Sequence, residues 1–494
     1  MYALGFDIGS SSVKVSILNL ESGKLEASAF SPKTEMPITA VKPGWAEQDP
    51  NMWWENLKSA TAEVLSFSHI QRYQIIAIGI SYQMHGLVLV DKQKQVLRPS
   101  IIWCDSRAVE IGQKAFLDIG SEKCLSSLLN SPGNFTASKL CWVKENEPKI
   151  FEKVDKFMLP GDYIALRLTG ESSTTLSGLS EGILFNFKTN SPATFLLDHY
   201  GIPAELIPPL VPTLGEQGRM SRQASQELGL PEGTPITYRA GDQPNNALSL
   251  NVMEPGEIAA TAGTSGVVYG VSGTLKYDPL SRVNSFAHVN HTTQAPHIGV
   301  LLCINGTGSA NSWIRRMTGQ QSVEYARINE LSSGVTLGSD GMICLPFGNG
   351  AERMLENRDI GAHFHNLQFN IHTQAHLVRA VQEGVAFAFN YGIGIMHSMD
   401  IKPTVIRAGL ANLFLSPIFC ETLAQTTGIT IELYNTDGAQ GAARGAAMGT
   451  NHFTSRAEMF KGLERIKVIE PAKSRSKDYQ EVYARWSSIL KRYL

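Results

Sequence analysis

Two similar segments, far apart in the chain, constrain the fold more than any other feature of the sequence. The first is a mostly apolar run, Tyr2 to Phe6, that leads into the polar turn Asp7-Ile8-Gly9-Ser10-Ser11-Ser12 before apolar residues alternate again. The second is Glu257 to Thr261, followed by the turn Ala262-Gly263-Thr264-Ser265-Gly266 and a return strand up to Val271. Alternation on both sides of a short turn predicts a β-hairpin. The recurrence of this opening predicts a duplicated domain.

The domain organisation follows from chain length and from where turn residues cluster. A chain of 494 residues is long for one hydrophobic core, so two domains are expected. Gly, Asp, Pro and Asn cluster over 241–255, which predicts a boundary there. Helical spacing over Trp53 to Leu65, opened by Asp49-Pro50, predicts a helix, and the segment Ile75 to Ile80 predicts a strand. Ser474 to Leu494 is typical of a terminal amphipathic helix with a packing role only.

The composition excludes several classes of function. With 18% charged residues and a net charge of −2, the chain lacks the basic balance of a nucleic-acid-binding protein. The sequence contains no apolar run of about 18 residues, so no membrane span is expected. The six cysteines show no CxxC spacing, and the first residues do not have the pattern of a signal peptide. Reduced thiols and a cytoplasmic location are therefore expected.

The first turn has the composition of a magnesium and phosphate site. Asp7 ends a buried strand and would hold Mg²⁺ directly or through water, while backbone N–H groups of Gly9 to Ser12 would approach phosphate oxygens. An ordinary Asp-Gly turn explains this segment alone equally well. The turn Gly263 to Gly266 offers a second cradle of the same kind. Two facing cradles are what a nucleotide held between two domains requires, so together they favour a nucleotide site.

A candidate general base, Asp242, lies at the predicted domain boundary, within the segment 239–246. A carboxylate there can take the proton from a substrate hydroxyl as that hydroxyl attacks a γ-phosphate. On its spacing alone, a turn or a helix cap is the more common role for such an Asp. Both roles stay open at this point.

Two further segments carry candidate sugar contacts. Met84-His85-Gly86 follows a predicted strand, and its imidazole and thioether suit a polyol, His by bonding hydroxyls and Met by packing on carbon. A His at a strand end is, however, more often structural. Trp103, Asp105 and Arg107 would form an aromatic and ion-pair frame for the same pocket, with a plain surface salt bridge as the equal alternative.

The order of these segments resembles that of the FGGY family of carbohydrate kinases, over roughly residues 1–450. The matching motifs, in chain order, are GFDIGSSSVKV at 5–15, GWAEQDP at 44–50, QMHG at 83–86, WCDSR at 103–107, LPGDYIALRLTGE at 159–171, AGDQPNNA at 240–247, TAGTSG at 261–266, GAERMLEN at 350–357 and GAQGAARGAAMG at 438–449. The most specific of them is QMHG followed by an apolar strand, because family members that act on glycerol usually carry a different loop there.

The resemblance implies an α/β protein with two ribonuclease H-like domains of the actin-like ATPase type around a nucleotide and sugar cleft. Residues 1–245 are the expected N-terminal, sugar-binding domain, and 246–450 are the expected C-terminal, nucleotide-binding domain. Residues 451–494 are expected to form a C-terminal helical extension.

The resemblance also implies roles for individual residues. Asp242 matches the catalytic base, and Asp7 matches the aspartate on the magnesium and phosphate side, so these two are the predicted catalytic and metal-binding residues. The predicted substrate-binding residues are Met84, His85, Trp103, Asp105, Gln243 and Asn245. The predicted nucleotide-binding residues are Gly9, Ser10, Ser11, Gly263, Thr264, Ser265, Gly306, Gly409 and Asn412.

The implied activity is ATP- and Mg²⁺-dependent phosphorylation of a ketose, with D-xylulose as the first expectation. A kinase for ribulose or gluconate and a non-catalytic sugar sensor are the alternatives. Two segments depart from the usual pattern: Gln243-Pro244-Asn245-Asn246 after the proposed base, and 407–417 in place of the usual glycine-rich adenosine loop. The expected partners are a sugar and ATP, without nucleic acid or membrane, and a homodimer is left open.

Overall fold

The computed structural model describes residues 1–317, 325–453 and 455–494 and folds as two compact units. Unit 1 comprises Met1–Asn251, Phe286–Ile298 and Thr436–Leu463. Unit 2 comprises Val252–Ser285, Gly299–Asn435 and Glu464–Leu494. The chain first passes from unit 1 to unit 2 at residue 251, inside the segment where turn residues cluster. Unit 1 also includes the segments Phe286–Ile298 and Thr436–Leu463 from the second half of the sequence. No local sequence pattern predicts this.

Strands account for the centre of each unit, and shorter strands pair in its loops. The strands are β1 Tyr2–Ile8, β2 Val13–Asn19, β3 Leu25–Ser31, β4 Glu47–Gln48, β5 Ile75–Tyr82, β6 Val88–Val90, β7 Ser100–Ile101, β8 Lys156–Met158, β9 Thr174–Thr175, β10 Phe185–Asn186, β11 Ser191–Pro192, β12 Leu210–Val211, β13 Leu214–Arg219, β14 Pro235–Gly241, β15 Glu257–Ala262, β16 Gly266–Ser272, β17 Asn284–Ala287, β18 Ile298–Ile304, β19 Ile343–Phe347, β20 Gly361–His365, β21 Val405–Gly409, β22 Thr430–Tyr434 and β23 Arg465–Ile469.

The helices connect these strands and cover the sheets. They are α1 Pro50–Phe67, α2 Val109–Ile119, α3 Ser121–Leu128, α4 Thr136–Asn146, α5 Pro148–Phe151, α6 Pro160–Thr169, α7 Leu176–Glu181, α8 Thr194–Tyr200, α9 Arg222–Leu228, α10 Asp242–Ser249, α11 Gly308–Met317, α12 Tyr325–Ser333, α13 Gln374–Ser398, α14 Pro417–Thr427, α15 Gly438–Gly449, α16 Arg456–Met459 and α17 Ser476–Leu490. In the described part of the chain, no helix combines the length and the apolar character needed to cross a membrane.

The sheet of unit 1 has six strands in the order β13-β14-β5-β1-β2-β3. The predicted antiparallel meander is present, since β1 pairs with β2 and β2 pairs with β3. Strands β1, β5 and β14 run parallel, with Asp7 beside Ser81 and Gly241 beside Tyr82. Ligands of open α/β sheets bind outside the carboxyl ends of parallel strands. The register therefore brings Asp7, the residues after Tyr82 and Asp242 to one edge of the sheet.

The sheet of unit 2 repeats this arrangement with other strands. Its order is β17-β18-β16-β15-β21-β22-β23, where β15 and β16 form the predicted antiparallel hairpin and β15, β21 and β22 run parallel. In unit 1 the neighbouring strands are β3, β2, β1, β5 and β14, and in unit 2 the corresponding strands are β18, β16, β15, β21 and β22. Numbered by their order along the chain within each unit, both sets have the strand order 3-2-1-4-5. This repeat confirms the predicted duplication, and the mixed two-domain α/β fold is the one predicted from the sequence.

The C-terminal extension differs from the expectation of a purely helical segment. Helix α17 is present and buries Trp486 completely. Residues 465–469, however, form strand β23, which pairs antiparallel with β22 at the edge of the sheet. The strand is mostly exposed on both faces. Its sequence alternates polar and apolar residues from Arg465 to Val468, but so short a run in a polar part of the chain does not distinguish a strand from a loop.

Helix α1 covers the meander of unit 1 and begins where the sequence predicted. The side chain of Asp49 accepts a hydrogen bond from the backbone N–H of Asn51, and Pro50 occupies the first turn. Such a cap satisfies one of the free N–H groups at a helix start. Trp53 and Trp54 are buried on the inner face. The helix thereby fixes the segment 44–50, which contacts the site described below.

Helix α15 lies against β1, β5 and β14 without a layer of large side chains between them. A Cβ placed on Gly5 would lie 1.9 Å from the carbonyl oxygen of Ala439, and one on Gly79 would lie 2.1 Å from that of Ala442. Both distances are far below van der Waals contact, so only glycine fits at these two strand positions. The first turn of the helix consequently reaches the strand end that carries Asp7.

Candidate active site

A cleft of about 340 Å³ opens at the carboxyl edge of the unit 1 sheet. Its lining residues are Asp7, Gly9, Ser10, Ser11, Ser12, Lys14, Gln83, Trp103 and Asp242. Six of them, Asp7, Gly9, Ser10, Ser11, Trp103 and Asp242, are site residues predicted from the sequence, and the fold brings them together. Lys14 and Gln83 were not predicted. Lys14 looks like an ordinary outward-facing residue of a strand, whereas Gln83 belongs to the QMHG motif.

Asp7 is surrounded by groups that act on its charge in opposite directions. Desolvation raises its pKa above the ordinary value, and the neighbouring Asp437 adds to this rise. A hydrogen bond from Ser81 and the charge of Lys14 oppose it. Lys14 is itself paired with Asp437 at 2.5 Å, and Asp437 caps the N-terminus of α15 by accepting from the N–H of Gln440. A cation added to this group would therefore relieve repulsion between carboxylates.

Asp242 is the first residue of α10, directly after strand β14. Although the residue as a whole is half-buried, desolvation raises the pKa of its carboxyl group to about 7, with a contribution from Asp7. Gly241 leaves the space that this turn needs. A Cβ there would lie 2.3 Å from Oε2 of Glu181 and 2.5 Å from Cγ of Met84. Met84 and Glu181 therefore lie directly beside Gly241, the residue that precedes Asp242.

The QMHG loop holds His85 in a left-handed backbone conformation, with φ at 61°. Its Nδ1 lies 2.9 Å from the carbonyl oxygen of Glu181, and its ring centroid lies 4.7 Å from that of Phe135 and 5.3 Å from that of Phe286. A carbonyl oxygen can only accept, so Nδ1 carries the hydrogen, and in the neutral ring Nε2 is the acceptor. The orientation and the tautomer of His85 are therefore both fixed by its surroundings.

Lys139, on helix α4, supports the same loop from behind. It is completely buried, and its Nζ donates to the carbonyl oxygens of His85 at 2.9 Å and Ile102 at 3.0 Å. Burial lowers its pKa to about 7. A neutral amine still has two N–H donors, which is the number these two carbonyls require. Sequence reasoning missed Lys139, because a lone lysine in a helix carries no signal of such a role.

Glu181, at the end of the short helix α7, is also buried and was also missed. Burial raises its pKa well above the ordinary value, and the charge of Asp242 raises it further. Its backbone carbonyl holds the His85 ring, and its Oε1 lies 3.4 Å from the backbone nitrogen of His85. Glu181 follows His85 by 96 positions in the sequence, so only the tertiary fold brings it to the QMHG loop.

Other predicted sugar contacts lie beside the cleft but not in its wall. Asp105 is buried in an ion pair with Arg107 and accepts from the N–H of Ala46 at 2.6 Å. Asn245 is fully buried and donates to the carbonyl oxygen of Gly438 at 2.8 Å. Gln243 hydrogen-bonds Asp242. All three side chains make contacts within the protein, and among the described residues Gln243 Oε1 and Asn245 Oδ1 have no hydrogen-bond partner. Their assignment to the sugar stays a prediction.

A second cavity, of about 290 Å³, lies within unit 2 at the tip of the β15–β16 hairpin. Its lining residues are Ala262, Gly263, Thr264, Gly308, Asn311, Ser312, Tyr325, Asn412, Leu413 and Leu415. The predicted Gly263, Thr264 and Asn412 meet here. The N–H of Gly308 donates to Gly263 and that of Ser309 donates to Thr264, so the hairpin is tied to the first turn of α11. Gly308 was missed because its role depends on this contact.

The remaining predicted nucleotide-binding residues lie near this cavity or next to it. Ser265 is exposed at the hairpin tip, and Gly409 ends β21, three residues before Asn412. Gly306 lines a neighbouring cavity of about 300 Å³, and its N–H donates to Glu352. Leaving aside residues 318–324 and 454, the protein has no group of three or more His, Cys, Asp or Glu side chains arranged to hold a metal ion.

Comparison with known families covers almost the whole chain. Residues 2–249 match the N-terminal domain of the FGGY family of carbohydrate kinases, and residues 258–452 match the C-terminal domain of the same family. The chain belongs to the FGGY family of carbohydrate kinases. The resemblance found in the sequence motifs is thereby confirmed, and this FGGY protein is a sugar kinase that takes ATP as its phosphoryl donor.

Individual relatives match this FGGY kinase over nearly their full length. A xylulose kinase from Klebsiella pneumoniae is 30% identical over 498 residues, covering 99% of both chains. An L-xylulose/3-keto-L-gulonate kinase from Escherichia coli (strain K12) is 28% identical, covering 99% of this chain and 96% of the relative. The crystal structure of a xylulose kinase from Rhodospirillum rubrum superposes with a TM-score of 0.88 at 25% identity, covering 100% of this chain and 99% of that one.

Proposed function

We propose that this FGGY kinase transfers the γ-phosphate of MgATP to the terminal hydroxyl of D-xylulose and yields D-xylulose 5-phosphate, with Asp242 as the general base. The observation that carries the proposal is the position of Asp242 in a cleft with Asp7, with a carboxyl pKa of about 7. The xylulose kinase named among its relatives supports the choice of sugar.

The raised pKa suits Asp242 to proton transfer. A general base works best when its pKa lies near the working pH, because it is then ionised yet still binds a proton strongly. Asp242 would accept the proton of the terminal hydroxyl as the oxygen attacks phosphorus. Burial and the charge of Asp242 both raise the pKa of the neighbouring Glu181 well above its ordinary value, which favours its protonated form.

The carboxylates of the cleft also fit a magnesium ion. Mg²⁺ prefers oxygen ligands and is usually held by one or two carboxylates together with phosphate oxygens and water. Asp7 and Asp242 supply such oxygens, and Ser10, Ser11 and Ser12 line the same cleft, while the N–H of Gly9 closes the turn by donating to the carbonyl oxygen of Ser12 at 3.0 Å. When bound, the ion would neutralise charge on the transferring phosphoryl group. Lys14, also in the lining, adds positive charge beside the same oxygens.

The sugar would lie against the QMHG loop. Met84 packs beside Gly241, next to the proposed base, and can cover the carbon face of the sugar. His85 would accept a hydrogen bond from a sugar hydroxyl through Nε2, since its Nδ1 is bound to the carbonyl oxygen of Glu181. A rigid acceptor of this kind discriminates between epimers, because its direction is fixed and only one epimer aligns a hydroxyl with it.

The nucleotide would lie in the cavity of unit 2. The N–H groups of the Gly263-Thr264 tip would bond phosphate oxygens, and Asn412, which lines the same cavity, would bond the nucleoside. The carbonyl oxygens of Gly263 and Thr264 are occupied by Gly308 and Ser309. The hairpin therefore presents its hydrogen-bond donors to the cavity without competing acceptors.

The proposal is tested by measuring ADP release across D-xylulose, L-xylulose, D-ribulose, L-ribulose, gluconate and glycerol. D-xylulose should exceed D-ribulose in kcat/KM by about tenfold or more, which one unpaired hydroxyl is enough to produce. The E. coli relative that acts on L-xylulose and 3-keto-L-gulonate favours a second candidate, a kinase for another ketose or sugar acid. A better rate with any of the other sugars would replace D-xylulose by that sugar.

The role of Asp242 is tested by Asp242→Asn, which keeps the shape and removes the proton acceptor. Turnover should fall by about 10²–10⁴-fold, the usual contribution of a positioned general base. A purified, folded variant that keeps more than about a third of the wild-type turnover would contradict this role.

A further inference from the structure

Gln83 carries an acceptor atom that the protein itself leaves without a donor. The side chain is only 2% exposed, and it lines the cleft of Asp7 and Asp242. Within the described residues, no group donates a hydrogen bond to its Oε1. A buried polar atom of this kind costs about 1–3 kcal/mol unless something pairs with it. Its place in the wall of the cleft points to a ligand as the missing partner.

The orientation of the Gln83 amide follows from its neighbour Gln48, in the GWAEQDP segment. Gln48 Nε2 donates to the carbonyl oxygen of Ser10 at 2.7 Å and to that of Pro37 at 3.3 Å. Gln48 Oε1 accepts from the indole N–H of Trp53 at 3.1 Å. Carbonyls can only accept and an indole N–H can only donate, so these partners leave Gln48 one possible orientation.

Gln83 must therefore present its NH₂ group to Gln48. Its Nε2 lies 3.3 Å from Gln48 Oε1, and its backbone N–H donates to the carbonyl oxygen of Ile8 at 2.8 Å. With the backbone and the NH₂ group both held, the amide cannot turn over without losing its bond to Gln48. Oε1 is thus fixed as an acceptor on the opposite side of the amide.

We propose that Gln83 is a specificity-determining residue whose Oε1 accepts a hydrogen bond from a sugar hydroxyl other than the one that is phosphorylated, and that Gln48 is its positioning residue. This inference rests on the proposed function, which places the sugar beside Asp242. The reacting hydroxyl has one hydrogen, and that hydrogen goes to Asp242. The hydrogen that Gln83 receives must therefore come from another hydroxyl of the same sugar.

The experiment pairs Gln83→Met with mono-deoxy analogues of D-xylulose. Methionine keeps the length of the side chain and removes both amide atoms. In the wild type, removing the hydroxyl that bonds Gln83 should lower kcat/KM by about 5- to 150-fold. In the variant, kcat/KM for D-xylulose should fall by a similar factor, and removing that same hydroxyl should cost little more. The KM for ATP should stay within about twofold.

The matched control is Gln217→Met on strand β13. Gln217 is also buried and its Oε1 also has no partner among the described residues, but its Nε2 donates to backbone carbonyls and it does not line the cleft. This variant reports what the loss of a buried amide does to folding alone. It should lower the melting temperature without changing the response to deoxy analogues.

Three results would overturn the inference. They are a Gln83→Met variant that keeps more than half of the wild-type kcat/KM, equal losses in wild type and variant for the 1-, 3- and 4-deoxy analogues, and a loss confined to the Mg²⁺ dependence, which would assign the donor to a metal-bound water. A wild type that prefers another sugar contradicts the proposed function instead. In that case the wild-type rates alone reveal the failure.

Discussion

The cleft of unit 1 and the hairpin cavity of unit 2 begin with the same strand–turn–strand element but end in different chemistry. The cleft is lined by Asp7, Asp242 and Lys14, with shifted carboxyl pKa values. The cavity is lined, among the described residues, by small, amide, hydroxyl and apolar side chains without a carboxylate or an amine. Duplication therefore supplies the backbone turn twice, and among the described lining residues the charged side chains belong to only one copy.

This difference predicts opposite sensitivities. A site that depends on the protonation state of a few carboxylates responds to pH and to isosteric changes of those groups. A site that depends on close approach of backbone N–H groups responds to added side-chain volume. Residues that support a site without lining it should have smaller effects on activity than either of these changes.

The largest effect is expected from acidity. Because the pKa of Asp242 is raised to about 7, its carboxylate is protonated below that pH and cannot accept the proton of the sugar. The kcat/KM for the sugar should then fall about tenfold per pH unit, or about 100-fold between pH 8 and pH 5. Steady-state kinetics over this range checks the slope.

The cavity of unit 2 provides the comparison for that profile. Adenosine carries no group that titrates in this range, so its binding, followed by calorimetry, should be flat. A parallel fall in adenosine binding would show that acid disrupts the fold as a whole, and the contrast between the two regions would be lost.

The next effect is expected from Gly308→Ala. A Cβ there would lie 2.1 Å from the carbonyl oxygen of Gly263, so the hairpin tip or the first turn of α11 must move by about 1 Å. Displacements of this size in a binding site cost about 10- to 100-fold. The loss should appear in kcat/KM for ATP, with the KM for the sugar nearly unchanged.

Gly394→Ala, in helix α13 of the same unit, is the control. A Cβ meets nothing within 4 Å there. Alanine is also the better helix former, so this variant should be as active as the wild type and slightly more stable. Equal activity of the two alanine variants would show that close approach at the hairpin is unimportant.

The smallest effect is expected from Lys139→Met. The change leaves the carbonyl oxygens of His85 and Ile102 without their donor, so the QMHG loop loses part of its support. The KM for the sugar should rise about tenfold, the effect of one buried acceptor left unpaired, while kcat changes less. A fall in kcat alone would place Lys139 in another role.

Lys144→Met on the same helix tests whether the position matters. Its Nζ also bonds a carbonyl oxygen, that of Tyr200, but it does not contact the loop. The KM for the sugar should stay at the wild-type value in this variant. A similar rise in both variants would assign the effect to helix α4 as a whole.

The sequence alone was sufficient for those parts of the fold and site that depend on local pattern. The meander, both hairpins, α1 and the position of Asp7 at a strand end follow from alternation, caps and turn residues, whereas Asp242 was placed only at a domain boundary. The six predicted residues of the cleft lining came from these patterns together with the family resemblance. Strand β23 was missed because its alternation is short and lies in a polar part of the chain.

Other parts of the site depend on tertiary contacts that no local pattern records. Glu181 and Lys139 lie in helices α7 and α4, whose sequences contain no recognisable site motif. They contact the QMHG loop only because of how these helices pack. Conversely, Asp105 lies in a conspicuous motif, yet its carboxylate is paired with Arg107, and Asn245 in another motif has its Nδ2 bonded to the carbonyl oxygen of Gly438. A motif therefore indicates where a site lies more reliably than it indicates which side chains contact the ligand.

The direct backbone contact between helix α15 and its sheet limits which substitutions this protein can accept over evolutionary time. Where side chains separate a helix from a sheet, drift in one residue can be absorbed by its neighbours. Here backbone meets backbone at Gly5 and Gly79, so there is no adaptable layer to absorb a change. Substitutions along this seam would displace the strand ends that carry the carboxylates. Gly5 and Gly79 should therefore stay invariant while the QMHG loop varies in sequence. New substrate preferences can then arise without changes in the strands that carry the carboxylates.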